Sequence, residues 1–185
     1  MPRIVAGVAG GRRFRVPPAG TRPTSDRVRE ALFSSLDARM DFAGVRVLDL
    51  YAGSGALALE ALSRGAAYAL LVESDRKAAQ VVRANIAELG LAGAQLRVGA
   101  VSAVLAQGGA GAFDLVFADP PYDLSTDTLT AEVAELAAGG WLAEGALVVV
   151  ERSARSPEIA WPEGFVPLAS RRYGETRLES AEFEP

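Results

Sequence analysis

The chain has 185 residues, half of them hydrophobic, and a net charge of −4 at pH 7, which suits one globular domain with a sizeable core. It has no cysteine and no histidine, so disulfides, thiol chemistry, histidine-ligated zinc and a Ser-His-Asp triad are excluded. No apolar run reaches membrane-spanning length and no signal-peptide core follows Arg3, so a cytoplasmic protein is expected.

Charge is uneven along the chain. Residues 1–29 carry seven arginines (Arg3, Arg12, Arg13, Arg15, Arg22, Arg27 and Arg29) against Asp26, a balance of +6, so the other 156 residues sum to −10. Arginine grips phosphates with a bidentate fork and stacks on bases, which makes these seven candidates for nucleic-acid contact. A solvated basic tail is the competing reading. Within this segment, short apolar pairs alternating with Gly7, Gly10 and Gly11 predict a small hairpin over residues 3–16. Pro17, Pro18, Gly20 and Pro23 form a connector, and Thr24, Ser25 and Asp26 offer caps for a helix with Val28, Ala31, Leu32 and Leu36 on one face. The organisation expected is a basic hairpin arm over residues 1–23 ahead of a domain over residues 24–185.

From residue 45 strands and helices alternate. Strands are predicted at Val45–Tyr51, Tyr68–Glu73, Gln95–Val98, Phe113–Ala118 and Ala146–Glu151, and helices at Gly55–Arg64, Arg76–Leu89, Ser102–Leu105 and Thr128–Ala138. The strands are apolar runs rather than alternating ones, which argues for a parallel sheet covered on both faces. Val166–Tyr173 and Thr176–Phe183 flank Gly174-Glu175 as a terminal hairpin. The fold class expected is therefore α/β: a doubly wound, mostly parallel, seven-stranded Rossmann-like sheet with an antiparallel C-terminal hairpin. Asn85 reads as a local hydrogen-bonding residue, and Trp141 and Trp161 as packing.

The first strand enters its turn as Asp49-Leu50-Tyr51-Ala52-Gly53-Ser54-Gly55. Ligands of such sheets bind at the carboxyl ends of strands, and Gly53 and Gly55 would let the backbone approach one closely. Glu73 ends the second strand, twenty residues after Gly53, where a carboxylate can take two ribose hydroxyls. This spacing fits a dinucleotide as well as S-adenosylmethionine. Asp49 favours the latter, since an acid at that strand end is awkward beside a pyrophosphate but useful near a cationic amino-acid moiety.

The fourth strand ends in Asp119-Pro120-Pro121-Tyr122 and is expected beside the first, on the same rim. Asp119 can accept from an amine, the two prolines fix local geometry and turn carbonyls outward, and Tyr122 can stack on a ring. An amino nitrogen conjugated into a base is a poor nucleophile. Hydrogen bonds to a carboxylate and a backbone carbonyl would favour a more tetrahedral nitrogen aimed at a methyl donor, with positioning and electrostatics carrying the catalysis and no metal required. The base would have to be unstacked or flipped. Guanine and adenine are not distinguished by these four residues, so a DNA adenine-N6 enzyme stays open. A dinucleotide-dependent oxidoreductase and a non-catalytic nucleic-acid-binding protein stay open too.

With these motifs in hand, the sequence resembles the bacterial 16S rRNA guanine-N2 methyltransferase family, RsmD. The resemblance rests on Arg3-Ile4-Val5-Ala6-Gly7, Gly10-Gly11-Arg12-Arg13, the stretch from Arg22 to Glu30, Asp49 to Leu57, Glu73-Ser74-Asp75, Asp119 to Tyr122, and Tyr173 to Leu178. It implies methyl transfer from S-adenosylmethionine to the N2 amine of a guanine in small-subunit rRNA, within an assembled or assembling 30S particle, by a monomer. It also implies cofactor contacts from Asp49, Tyr51, Ala52, Gly53, Ser54, Gly55, Glu73, Ser74 and Asp119, and an amine site at Asp119, Pro120, Pro121 and Tyr122. The chain departs from many relatives at Val98-Gly99-Ala100-Val101, which lacks a carboxylate to read adenine, so backbone groups near Ala100 are expected to do so.

Overall fold

The computed structural model describes residues 1–18, 25–109 and 111–185, so Arg22, Thr24 and the connector residues Gly20 and Pro23 lie outside the described residues. Helix α1 (Asp26–Asp37) starts where the Ser25 hydroxyl accepts from the Val28 amide at 3.2 Å, and it buries Val28, Leu32, Phe33 and Leu36. Then come β1 (Arg46–Leu50), α2 (Ala56–Ser63), β2 (Tyr68–Glu73), α3 (Arg76–Leu89), β3 (Ala94–Val98), α4 (Val101–Ala106), β4 (Phe113–Ala118), α5 (Thr126–Ala138) and β5 (Leu142–Ser153). The chain closes with β6 (Phe165–Pro167), β7 (Arg171–Tyr173) and β8 (Thr176–Phe183).

The strands form one sheet of order β3-β2-β1-β4-β5-β8-β6, with β7 also paired to β8. The first five strands are parallel and β8 joins β5 antiparallel. The sheet has eight strands where seven were expected. The run Val166–Tyr173 is broken into β6 and β7, both lying on the same edge of β8, with the Leu168 amide bonded to the Ser180 carbonyl between them.

Side chains on the parallel strands alternate between two cores, as strand geometry requires. Val47, Leu71, Leu115, Phe117 and Val149 pack with α1, α2 and α3, whereas Leu48, Leu50, Val72, Val116 and Val150 pack with α4 and α5. Burial on both faces explains why these strands read as continuous apolar runs.

Helix α2 is buried on every side, because the N-terminal segment covers its outer face. Glu60 accepts from the Val5 and Ala6 amides at 2.8 and 3.1 Å, and the Ser63 hydroxyl accepts from the Ala9 amide and donates to the Ala6 carbonyl. Gly7, at φ +83°, sits so close that an added Cβ would lie 1.9 Å from the Ser63 carbonyl oxygen, so no other residue fits there. The expected hairpin is reduced to one antiparallel bridge, Arg3 with Arg13, and Ile4, Ala9 and Phe14 enter the core. The basic segment is thus docked on the body. Its glycine-rich turn follows the surface of α2 instead of a partner strand, which is why the ladder stays short.

Candidate active site

The register of the parallel strands places four residues in one row at the carboxyl rim of the sheet. Leu50 pairs with Val72 and Ala118, and Ala118 with Val150, so Tyr51, Glu73, Asp119 and Glu151 follow as neighbours. The strand order reverses between β1 and β4, the topological switch point where doubly wound sheets bind ligands. A cavity of about 460 Å³ opens there. It is lined by Asp49, the Tyr51–Ser54 turn, Glu73, Ser74 and the whole Asp119–Tyr122 stretch.

The turn is held from the side that faces the sheet. The Ala52 amide donates to the Val72 carbonyl at 3.0 Å, and the Gly53 amide donates to the Glu73 carboxylate at 2.8 Å. The other Glu73 oxygen accepts from the Asp75 amide, also at 2.8 Å. Glu73 is thereby fixed at the cavity edge. Gly53, at φ +60°, has nothing within 4 Å of where a Cβ would stand, so a side chain there would project into cavity space. Gly55 differs from its expected role. It does not line the cavity, and a Cβ on it would meet Leu71 at 2.9 Å, so packing of the turn on β2 requires this glycine.

Asp49 is 1 % exposed and its carboxylate accepts from the Ala58 amide at 3.1 Å. Burial pushes its pKa up to about 8, and nearby Glu73 adds to the rise. A buried acid so placed gains most from a cation arriving in the cavity. Tyr51 adopts φ +59°, a strained backbone for an aromatic residue, and its hydroxyl donates to Glu132 on α5, 2.7 Å from Oε2. Burial raises the pKa of both partners. This tie joins the turn after β1 to the helix that follows Asp119–Tyr122. It spans 81 residues, so no local pattern could have announced it.

Asp119 is half-buried with its amide on the Leu50 carbonyl at 3.4 Å, Pro120 is buried, and Tyr122 is 56 % exposed at the cavity mouth. Pro17, Asp75, Ala56, Leu57, Glu151 and Arg152 also line the cavity and were not foreseen. Arg152 is buried, with Nη2 3.3 Å from the Thr126 hydroxyl at the start of α5. Ala100 caps α4 and is not among the cavity-lining residues, but the backbone beside it is brought to the rim, where the Gly99 amide donates to the Glu73 carbonyl at 3.0 Å. Among the described residues no cluster of acids could hold a metal ion.

The arginines divide. Arg3, Arg13 and Arg27 are exposed. Arg12 donates to the Leu89 and Glu88 carbonyls at 3.0 and 2.6 Å, capping the end of α3, and Arg15 lies 3.6 Å from Glu88. Arg29 departs from its expected surface role. Its side chain is buried, bonded to Asp26 at 2.8 Å and to the Arg3 carbonyl, and lies 3.6 Å from Glu60. Asn85 is fully buried, bridging the Arg15 backbone to the Ser54 carbonyl.

A Gly-rich turn after β1, an acid ending β2 and an acid-proline-proline-aromatic rim after β4, on a sheet of this order, define the Rossmann-like methyltransferase class. A structure titled putative methyltransferase yhhF from Escherichia coli superposes with a TM-score of 0.86 at 34 % identity, covering 99 % of this chain and 98 % of that one. The chain belongs to the family described as Conserved hypothetical protein 95, which matches residues 2–182, and it is an RsmD-like methyltransferase. It is 43 % identical over 150 residues to ribosomal RNA small subunit methyltransferase D of Escherichia coli (strain K12), covering 80 % of this chain and 73 % of the relative. The protein of the same name from Haemophilus influenzae is 33 % identical over 176 residues, covering 93 % and 89 %.

Proposed function

We propose that this chain transfers a methyl group from S-adenosylmethionine to the exocyclic N2 amine of a guanine in small-subunit rRNA, acting as a monomer on an assembled or assembling 30S particle. The observation that carries the reading is the single rim on which a Gly-rich cofactor turn, Glu73 and the Asp119–Tyr122 stretch line one cavity. When bound, S-adenosylmethionine supplies a methyl carbon made electrophilic by its sulfonium.

Glu73, fixed by two backbone amides, holds ribose hydroxyls, with Ser74 beside it. Asp49 and the Gly53 turn take the amino-acid end, where a buried carboxyl meets an ammonium group. The Asp119 carboxylate and the Pro120 carbonyl accept the two N–H bonds of the target amine and direct its lone pair toward the methyl carbon. The bound donor would supply the methyl group and keep the carbon–sulfur electron pair on sulfur, and Asp119 or water would take the proton that the methylated amine must lose. Tyr122, exposed at the mouth, stacks on the unstacked base. Arg3, Arg13 and Arg27 contact phosphates, and the docked N-terminal segment presents Arg12 and Arg15 beside them.

The test is calorimetry with S-adenosylmethionine and with NAD(H), followed by transfer of a labelled methyl group to small-subunit RNA. Binding of S-adenosylmethionine with label in the RNA supports the reading. Binding of the dinucleotide alone, or no label in RNA, contradicts it.

A further inference from the structure

A second depression, of about 360 Å³, lies next to the catalytic cavity and shares Tyr122 with it. Its other lining residues are Ser153, Arg155, Ser156 and Glu175. These come from the end of β5, the loop that follows it and the turn of the β7–β8 hairpin, which no step of the reaction above uses. All three stand on the rim that carries Asp119, since β5 is parallel to β4.

The walls of this depression are anchored from below. The Ala154 amide donates to the Glu175 carbonyl at 2.8 Å, which ties the loop after β5 to the hairpin turn. Arg177 in β8 is buried and donates to the Ala154 and Pro157 carbonyls at 3.2 and 3.1 Å. Glu179 in the same strand pairs with Arg177 at 3.1 Å and takes the Ile159 amide at 3.0 Å. A buried ion pair is thus committed to fixing the course of an exposed loop. Removing either partner would leave the other charge buried and uncompensated.

The depression offers groups that a nucleotide can use. The Arg155 side chain is 86 % exposed, and its 3.6 Å contact with Glu175 is a solvated ion pair of the kind that contributes little. A phosphate can therefore recruit Arg155 at small cost. Ser153 and Ser156 offer hydroxyls, Glu175 can accept from a sugar hydroxyl or a base amine, and Arg171 and Arg172 stand exposed on the adjoining strand.

We propose that this depression binds the nucleotide adjoining the target base in the same RNA strand, with Arg155 on its phosphate and Tyr122 at the boundary between the two bases. Holding the neighbour in its own pocket spreads the strand and keeps the target base unstacked. This inference rests on the reading of the chain as an RNA methyltransferase.

The test compares wild type, Arg155→Glu and Arg39→Glu in steady-state methylation of undermethylated small subunits across a salt series. Arg39 is a control for general charge, because its partner Glu182 pairs in the sheet with Leu147, at the opposite rim. Arg155→Glu is expected to raise KM for the RNA substrate about tenfold, with the loss carried by KM rather than kcat, and to reduce the salt slope by about one. Arg39→Glu is expected to stay within about twofold of wild type in KM. An unchanged KM in Arg155→Glu, or an equal loss in Arg39→Glu, would overturn the subsite while leaving the methyltransferase reading intact. A wild-type protein that labels no RNA would overturn both.

Discussion

Asp49 offers the sharpest quantitative expectation. In the free protein its carboxyl is 1 % exposed with a pKa of about 8, so near neutrality it is mostly protonated. Meeting the ammonium of S-adenosylmethionine requires the ionised form. Binding well below pH 8 should therefore release about one proton, and affinity should rise about tenfold per pH unit between about pH 5 and 7, where the ligand amine stays mostly charged. Over that window the gain is on the order of 100-fold. Asp49→Asn keeps the size and can still accept from the Ala58 amide, so it should fold, bind less tightly at pH 7.5 and lose the pH dependence. The sign for stability runs the other way. An acid whose folded pKa is raised holds its proton more tightly when folded, so the free protein should lose stability as pH rises from about 4 to 8. Asp49→Asn should flatten that slope. Calorimetry in two buffers of different ionisation enthalpy counts the protons. An affinity independent of pH, with no proton released by wild type, would refute the role given to Asp49.

Other expectations follow from the same geometry. Asp119→Ala should leave the S-adenosylmethionine dissociation constant within about threefold but lower kcat by about 100-fold or more, as loss of one positioning acceptor does; equilibrium binding and single-turnover transfer separate the two. Arg29→Met removes a cation from beside buried Glu60 and should cost about 3 kcal/mol in urea unfolding, whereas exposed Arg13→Glu should leave the urea midpoint unchanged and weaken RNA binding instead. Gly55→Ala should cost about 1–3 kcal/mol through its positive φ and its contact with Leu71. Gly53→Ala carries a similar positive-φ cost but should in addition weaken cofactor binding, because its Cβ enters open cavity space. Equal effects of the two glycine changes on binding would count against that division.

The parallel strands were legible because burial on both faces leaves an unbroken apolar run, as Phe113–Ala118 and Tyr68–Glu73 show without a shift of boundary. The rim was legible for a related reason: Asp49 and Glu73 lie in the last residues of their strands and Gly53 and Asp119 follow theirs, at spacings set by the fold. What escaped was long-range. The Tyr51–Glu132 tie, the buried setting of Arg29 and the cavity position of Arg152 depend on partners far along the chain. Charge alone could not separate Arg29 from Arg13, because a docked segment buries one and exposes the other. Gly55 was recognised as necessary for the wrong reason, since a glycine facing Leu71 and one facing a ligand look alike in sequence. The edge opposite β5 was read as one strand although Pro167, just before the break at residues 168–170, is the residue that marks the interruption.

The central claim is that the Asp119–Tyr122 rim methylates the N2 amine of one guanine. Small subunits from cells lacking the modification, incubated with this protein and S-adenosylmethionine, should gain a single methyl group. Mass mapping of nuclease fragments should then place that group on one guanine of the small-subunit RNA as N2-methylguanosine. A methyl group on adenine, on a ring nitrogen or on a ribose, or no incorporation at all, would contradict the account.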